Sequence, residues 1–168
     1  MGASTVLMAS GLKLSPQVKG IVSDCAFTTA WDVFAHVLKD QYHLPSYPIL
    51  KISDRMCREK AGYGLKQCSA ALEVKKAKVP ILFIHGDADT FVPCSMCFEI
   101  YENCASKKNM LIVHGAGHVE AFYKEQALYE QKLTEFLETA GEAWAPAGKS
   151  IYVSDVTGEG NSGESVPV

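Results

Sequence analysis

No apolar run in the chain approaches the roughly 20 residues needed to cross a bilayer; the longest stretches, such as 79–84, fall far short. Nor does the sequence open on the basic, apolar and cleavage-site pattern of an export signal. Neither a membrane anchor nor export is expected from these residues, so a cytoplasmic location is the default. Positive charge is scarce as well. Lys and Arg number 16 against 19 Asp and Glu, a net charge of −3, with a pI near 5.9. That is too little to hold a phosphate backbone by counterion release, which argues against nucleic acid as a partner. The six cysteines show no disulfide-framework spacing, and a chain of 168 residues that is 48% hydrophobic can build a core without one. They are expected to be reduced and mostly buried.

What is present suits one globular domain with a tail: 21% charged residues and a mean hydropathy of +0.02 are incompatible with global disorder. Residues 1–12 carry small and apolar side chains, with Ala3, Val6, Leu7 and Leu14 on one face, which predicts a buried helix. It starts with no capping residue ahead of Met1, as though chain upstream were missing. Residues 18–25 read as a strand centred on Ile21 and Val22. Residues 30–38 and 49–61 look helical, divided by Pro45 and Pro48, and residues 27–78 are expected to form a cap or excursion over a sheet.

The second half is more legible. Residues 79–85 form a β-rich run ending at Gly86, and Pro93 stands where a helix commonly has its first residue. Cys97, Ile100, Tyr101 and Cys104 repeat at helical spacing, 110–114 is a further strand, and 119–139 predicts one amphipathic closing helix through Phe122, Tyr129, Leu133, Phe136 and Leu137. Residues 1–140 are expected to be the domain; 141–168, rich in Gly, Pro and Ser, read as a disordered tail in which only 151–153 is strand-like.

Alternating strands and helices imply an α/β fold with a parallel sheet, so the loops after the three strands share one edge. That edge is where open α/β sheets bind ligands. It would carry Asp87 and Asp89 after one strand and His118 after the next, and the start of the first helix, running antiparallel to its strand, would lie there too. A carboxylate that orients an imidazole lets the ring take a proton from a hydroxyl or thiol, so the pair asks for a nucleophile. No G-x-S-x-G occurs in the chain.

Three segments carry a resemblance: Met1-Gly2-Ala3, which suits the residues following a G-x-S; His85-Gly86-Asp87-Ala88-Asp89-Thr90-Phe91-Val92-Pro93; and Gly115-Ala116-Gly117-His118. With them the chain resembles, over about residues 1–137, the C-terminal part of an α/β-hydrolase, close to bacterial serine hydrolases of the serine aminopeptidase-like or esterase-like group. The resemblance implies that Asp89 is the triad acid, that His118 is the general base, and that the serine precedes Met1. It also implies that the backbone N–H of Met1 forms half of the oxyanion hole. The fold would then lack its N-terminal strands and the chain its nucleophile, leaving it inactive as it stands. The implied substrate is a small-molecule or peptide ester, thioester or amide, hydrolysed without metal or organic cofactor.

Blander readings compete. Asp87 suits a turn former, His85 and His114 suit packed, hydrogen-bonded strand ends, and His36 and His43 carry no assignment. Glu120 reads as a helix-start charge. Phe27, Trp31, Phe34 and Tyr42 have the spacing of core residues, although they could line an acyl pocket. Cys94 and Cys97 form a C-x-x-C at a helix start, where the dipole would lower a thiol pKa, so a thiol redox protein is one alternative. A non-catalytic remnant that binds a partner through an exposed sheet edge is another. Zinc is not expected, because no second cysteine or histidine pair stands at ligand spacing beside Cys94 and Cys97.

Overall fold

A computed structural model describes residues 1–141 and the backbone of 151–152. Its centre is β2 (Ile81–Gly86), buried along its whole length between β1 (Ile21–Asp24) and β3 (Lys108–Val113), both parallel to it. Alternation along β2 sends its side chains to opposite faces. Ile81 and Phe83 pack with Leu7, Val74, Ile100 and Ile112 on one face; Leu82 and Ile84 pack with Leu111, Val113, Ala121 and Phe136 on the other. Burial on both faces is why this segment reads as a continuous apolar run.

The first face is covered by α1 (Gly2–Ala9), α4 (Ala70–Glu73) and α5 (Cys94–Asn103). The crossovers from β1 to β2 and from β2 to β3 therefore use the same side of the sheet, as connections of one hand must when they step across it in one direction. Between β1 and β2 lie also α2 (Ala30–Asp40) and α3 (Ile49–Ala61). Thr29 caps α2 by accepting from the N–H of Asp32 at 3.0 Å, and Gly62, left-handed at φ 80°, ends α3. The opposite face is covered by α6 (Ala121–Lys124) and α7 (Gln126–Gly141). Phe136 lies so close to Gly20 that any side chain there would meet its ring. A short β4 (Ile151–Tyr152) pairs in parallel with β3.

Several expectations need correction. The closing helix is two helices, because Glu125 adopts φ −135° and ψ 60° between them, while Lys124 reaches back to the carbonyl of Gly115 at 3.0 Å. Leu137 is exposed, so the stripe on α7 is narrower than its pattern. Val6 is likewise exposed, and α1 is anchored by Leu7, whose full burial contributes about 1.5–3 kcal/mol. Strand β3 begins two residues early: Lys108 joins the ladder while its ammonium donates to the carbonyls of Tyr101 (2.7 Å) and Cys104 (3.1 Å) at the end of α5. Pro93 precedes α5 as its N-cap rather than opening it. Of the four aromatics read as core, only Phe27 is buried; Phe34 and Tyr42 are exposed, and Trp31 lies under the Lys66 ammonium at 4.7 Å. Residues 142–150 and 153–168, including most of the expected tail, lie outside the described residues.

Candidate active site

The carboxyl edge of the sheet is assembled by four chain crossings. After β2, Asp89 accepts the backbone N–H of Phe91 (2.9 Å) and of Val92 (2.8 Å) on Oδ1, a local turn that ties its side chain down. Its other oxygen, Oδ2, then accepts from Nδ1 of His118 at 2.7 Å. Because a carboxylate only accepts, this bond sets the His118 tautomer with its proton on Nδ1. Nε2 has no partner among the described residues, on a side chain that is 32% exposed. Phe91 flanks the ring, with centroids 5.0 Å apart.

Asp89 itself has a wholly buried side chain. Burial on its own raises its pKa; hydrogen bonds from His85, from the Val92 backbone and from His118 outweigh that and hold it well below the ordinary carboxylate value of 3.8. His85, fully buried, donates from Nε2 to the Val92 carbonyl at 2.9 Å, with Asp89 Oδ2 at 3.4 Å. It braces the acid from behind, a closer involvement than a packed strand end.

Asp87 makes a second acid–imidazole pair. Oδ2 accepts from Nδ1 of His114 at 2.7 Å and Oδ1 from the Gly115 N–H at 2.6 Å, so it joins its own loop to the loop leading to His118. Gly117 donates to Glu120 Oε2 at 2.9 Å, which fixes the same loop from its other side. Between the two loops Ala88 donates to the Ala116 carbonyl at 3.1 Å, and Gly86 approaches that carbonyl so closely that it tolerates no Cβ.

The first turn of α1 reaches the same edge. Ser4 Oγ accepts from the Phe27 N–H at 2.9 Å and donates to its carbonyl at 3.2 Å, just past the end of β1. Met1 caps the helix start, its carbonyl accepting from the Thr5 N–H at 3.1 Å. Both hydrogen-bonding roles of Ser4 are filled and it is buried, so it does not serve His118. His36 on α2 bonds the Thr90 carbonyl at 2.9 Å beside the acid. His36 also lines a groove of about 900 Å³ with Lys39, His43, Leu44 and Tyr47.

Cys25 is a site residue that sequence reasoning missed. It directly follows β1 and has a buried thiol whose sulfur lies within 4.8 Å of donor atoms of His85 and Asp89. These three are close enough to ligate a metal, but most of their atoms are engaged: Asp89 accepts on both oxygens, His85 Nε2 donates to Val92 while its Nδ1 has no partner among the described residues, and burial pushes the Cys25 thiol up to about 12. The cluster is a hydrogen-bonded one. The lowered thiol pKa expected at this helix start is not found: burial raises both Cys94, to about 11, and Cys97.

Residues 3–120 match the family described as Serine hydrolase (FSH1). Over 143 residues the chain is 29% identical to the uncharacterized protein YqkD of Bacillus subtilis (strain 168), covering 85% of this chain and 47% of that one. Among solved structures, an acylaminoacyl peptidase of Pyrococcus horikoshii superposes with a TM-score of 0.61 at 16% identity, over 83% of this chain and 22% of its own. The esterase PF2001 of Pyrococcus furiosus gives 0.60 at 19%, over 84% and 51%. An acetyl xylan esterase from Paenibacillus sp. R4 gives 0.59 at 20%, over 82% and 42%. The chain thus spans about half or less of the length of these proteins, and their shared architecture is the parallel sheet flanked by helices described above. No helix among the described residues is long and apolar enough to cross a membrane. By its sequence over residues 3–120, the chain belongs to the FSH1 serine hydrolase family.

Proposed function

We propose that these residues supply the acid and the base of a serine hydrolase that transfers an acyl group from an ester, thioester or amide to water. The observation that carries the reading is the 2.7 Å bond from His118 Nδ1 to a buried Asp89, with Nε2 free of partners among the described residues. His118 takes the proton of a serine hydroxyl as that oxygen attacks the carbonyl, then returns it to the leaving group. Asp89 holds the tautomer and stabilises the imidazolium. The serine comes from chain preceding Met1, where α1 meets the site edge, and the peptide N–H of Met1 donates to the developing oxyanion. The substrate is a small molecule or peptide carrying the acyl group, and no step calls on a metal or cofactor. In this reading the 168 residues alone are inactive.

A serine-directed fluorophosphonate tests it. Labelling is expected of a version extended upstream through a G-x-S segment, is expected to fall with His118→Ala, and is expected to be absent from the 168-residue chain. A folded, extended protein that stays unlabelled overturns the hydrolase reading in favour of a binding role.

A further inference from the structure

Two non-glycine residues with left-handed backbone meet beside His118: Cys25 at φ 58° and Val119 at φ 63°. For a β-branched residue such as Val119 that conformation is an outlier, and it persists only where the surroundings enforce it. The enforcing contact is visible. The Val119 N–H donates to Cys25 Sγ at 3.4 Å, bridging the loop after β3 to the end of β1.

Cys25 in turn donates its thiol proton to Asp24 Oδ1 at 3.2 Å, and Asp24 Oδ2 accepts from the hydroxyl of Tyr129 on α7 at 3.2 Å. Burial is the main reason the thiol of Cys25 and the phenol of Tyr129 are both pushed up to about 12, so each keeps the proton it donates. The Tyr129 ring is set perpendicular to Phe122, centroids 5.4 Å apart. A continuous line of bonds therefore runs from α7 through the end of β1 to the residue after the imidazole. A thiol suits the middle of that line because it donates and accepts at once, and its long C–S bond reaches across the gap.

We propose that Cys25 is a positioning residue: together with Asp24 and Tyr129 it holds Val119 in its strained conformation and so fixes the aim of His118 toward Asp89. It is not a second nucleophile, because its sulfur is protonated and bonded to Asp24 and Val119 rather than to His118.

The inference rests on the acid–imidazole reading, and proton NMR separates the two. In the 168-residue chain the Nδ1 proton of His118, assigned by its absence in His118→Gln, is expected at low field. Cys25→Ala should broaden or remove it, Cys25→Ser should restore it in part, and Tyr129→Phe should displace it in the same direction. Combining Cys25→Ala with Tyr129→Phe should add nothing, as for members of one network. In the upstream-extended protein Cys25→Ala is expected to lower kcat roughly ten- to hundredfold with KM nearly unchanged.

A low-field proton that neither Cys25→Ala nor Tyr129→Phe moves overturns the inference, even if stability falls. Should Cys25→Ala fail to fold, Tyr129→Phe, which removes one hydroxyl, carries the test. If the folded wild-type chain shows no such proton, the acid–imidazole reading itself fails and the inference falls with it.

Discussion

Asp89 does two jobs with two oxygens, and a pair of substitutions separates them. Asp89→Ala strands the N–H groups of Phe91 and Val92, which donate to Oδ1 at 2.9 and 2.8 Å, and leaves Nδ1 of His118 without its acceptor. At about 1–3 kcal/mol for a stranded buried donor, the Val92 N–H alone predicts a loss of roughly that size, to which the Phe91 N–H, on an exposed residue, adds less. Asp89→Asn keeps a carbonyl for those N–H groups but turns an amide NH2 toward His118 and His85, so stability should fall by only a fraction of that amount. Activity should not be spared, because the amide favours the wrong imidazole tautomer; loss of roughly four orders of magnitude in kcat is expected.

Acidity supplies a second readout. The folded pKa of Asp89 lies below its ordinary value of 3.8, since the hydrogen bonds outweigh the raising effect of burial. A depressed carboxylate contributes stability that is present above its unfolded pKa and lost as pH falls through the folded one. The stability gap between wild type and Asp89→Asn, measured by denaturant unfolding, should therefore narrow as pH drops below about 4. Equal destabilisation by Ala and Asn, or a gap that widens in acid, would refute this division of labour.

Other substitutions probe the support. Gly86→Ala drives a methyl group into the Ala116 carbonyl and should cost about 1–3 kcal/mol in urea unfolding while lowering fluorophosphonate labelling of the extended chain. Phe136→Ala empties the contact with Gly20 and the second sheet face, and should cost about 3–5 kcal/mol by the same measurement. Alkylation of Cys94 by iodoacetamide should keep accelerating from pH 7 to 10 without levelling, as its pKa near 11 requires. A plateau below pH 8 would restore the redox alternative.

Much of this was legible from the chain alone, for a physical reason. The strand at β2 and the helices read at 30–38, which runs on to Asp40, and at 49–61 all follow from side-chain period, which neighbouring residues determine. The resemblance carried by the segment from His85 to Pro93 and by Gly115-Ala116-Gly117-His118 singled out positions 89 and 118, which the structure joins at 2.7 Å. Tertiary packing decided the rest. Helical periodicity marks Phe34 and Tyr42 as core but does not say whether anything covers them, and nothing among the described residues buries either. Glu125 stands in an unbroken amphipathic pattern, yet Lys124, held to Gly115, turns the chain there. Cys25 gave no local sign of a role, because the sulfur that receives the Val119 N–H is 94 residues away in sequence. A contact at that separation exists only once the ends of β1 and β3 have been brought to the same edge of one sheet.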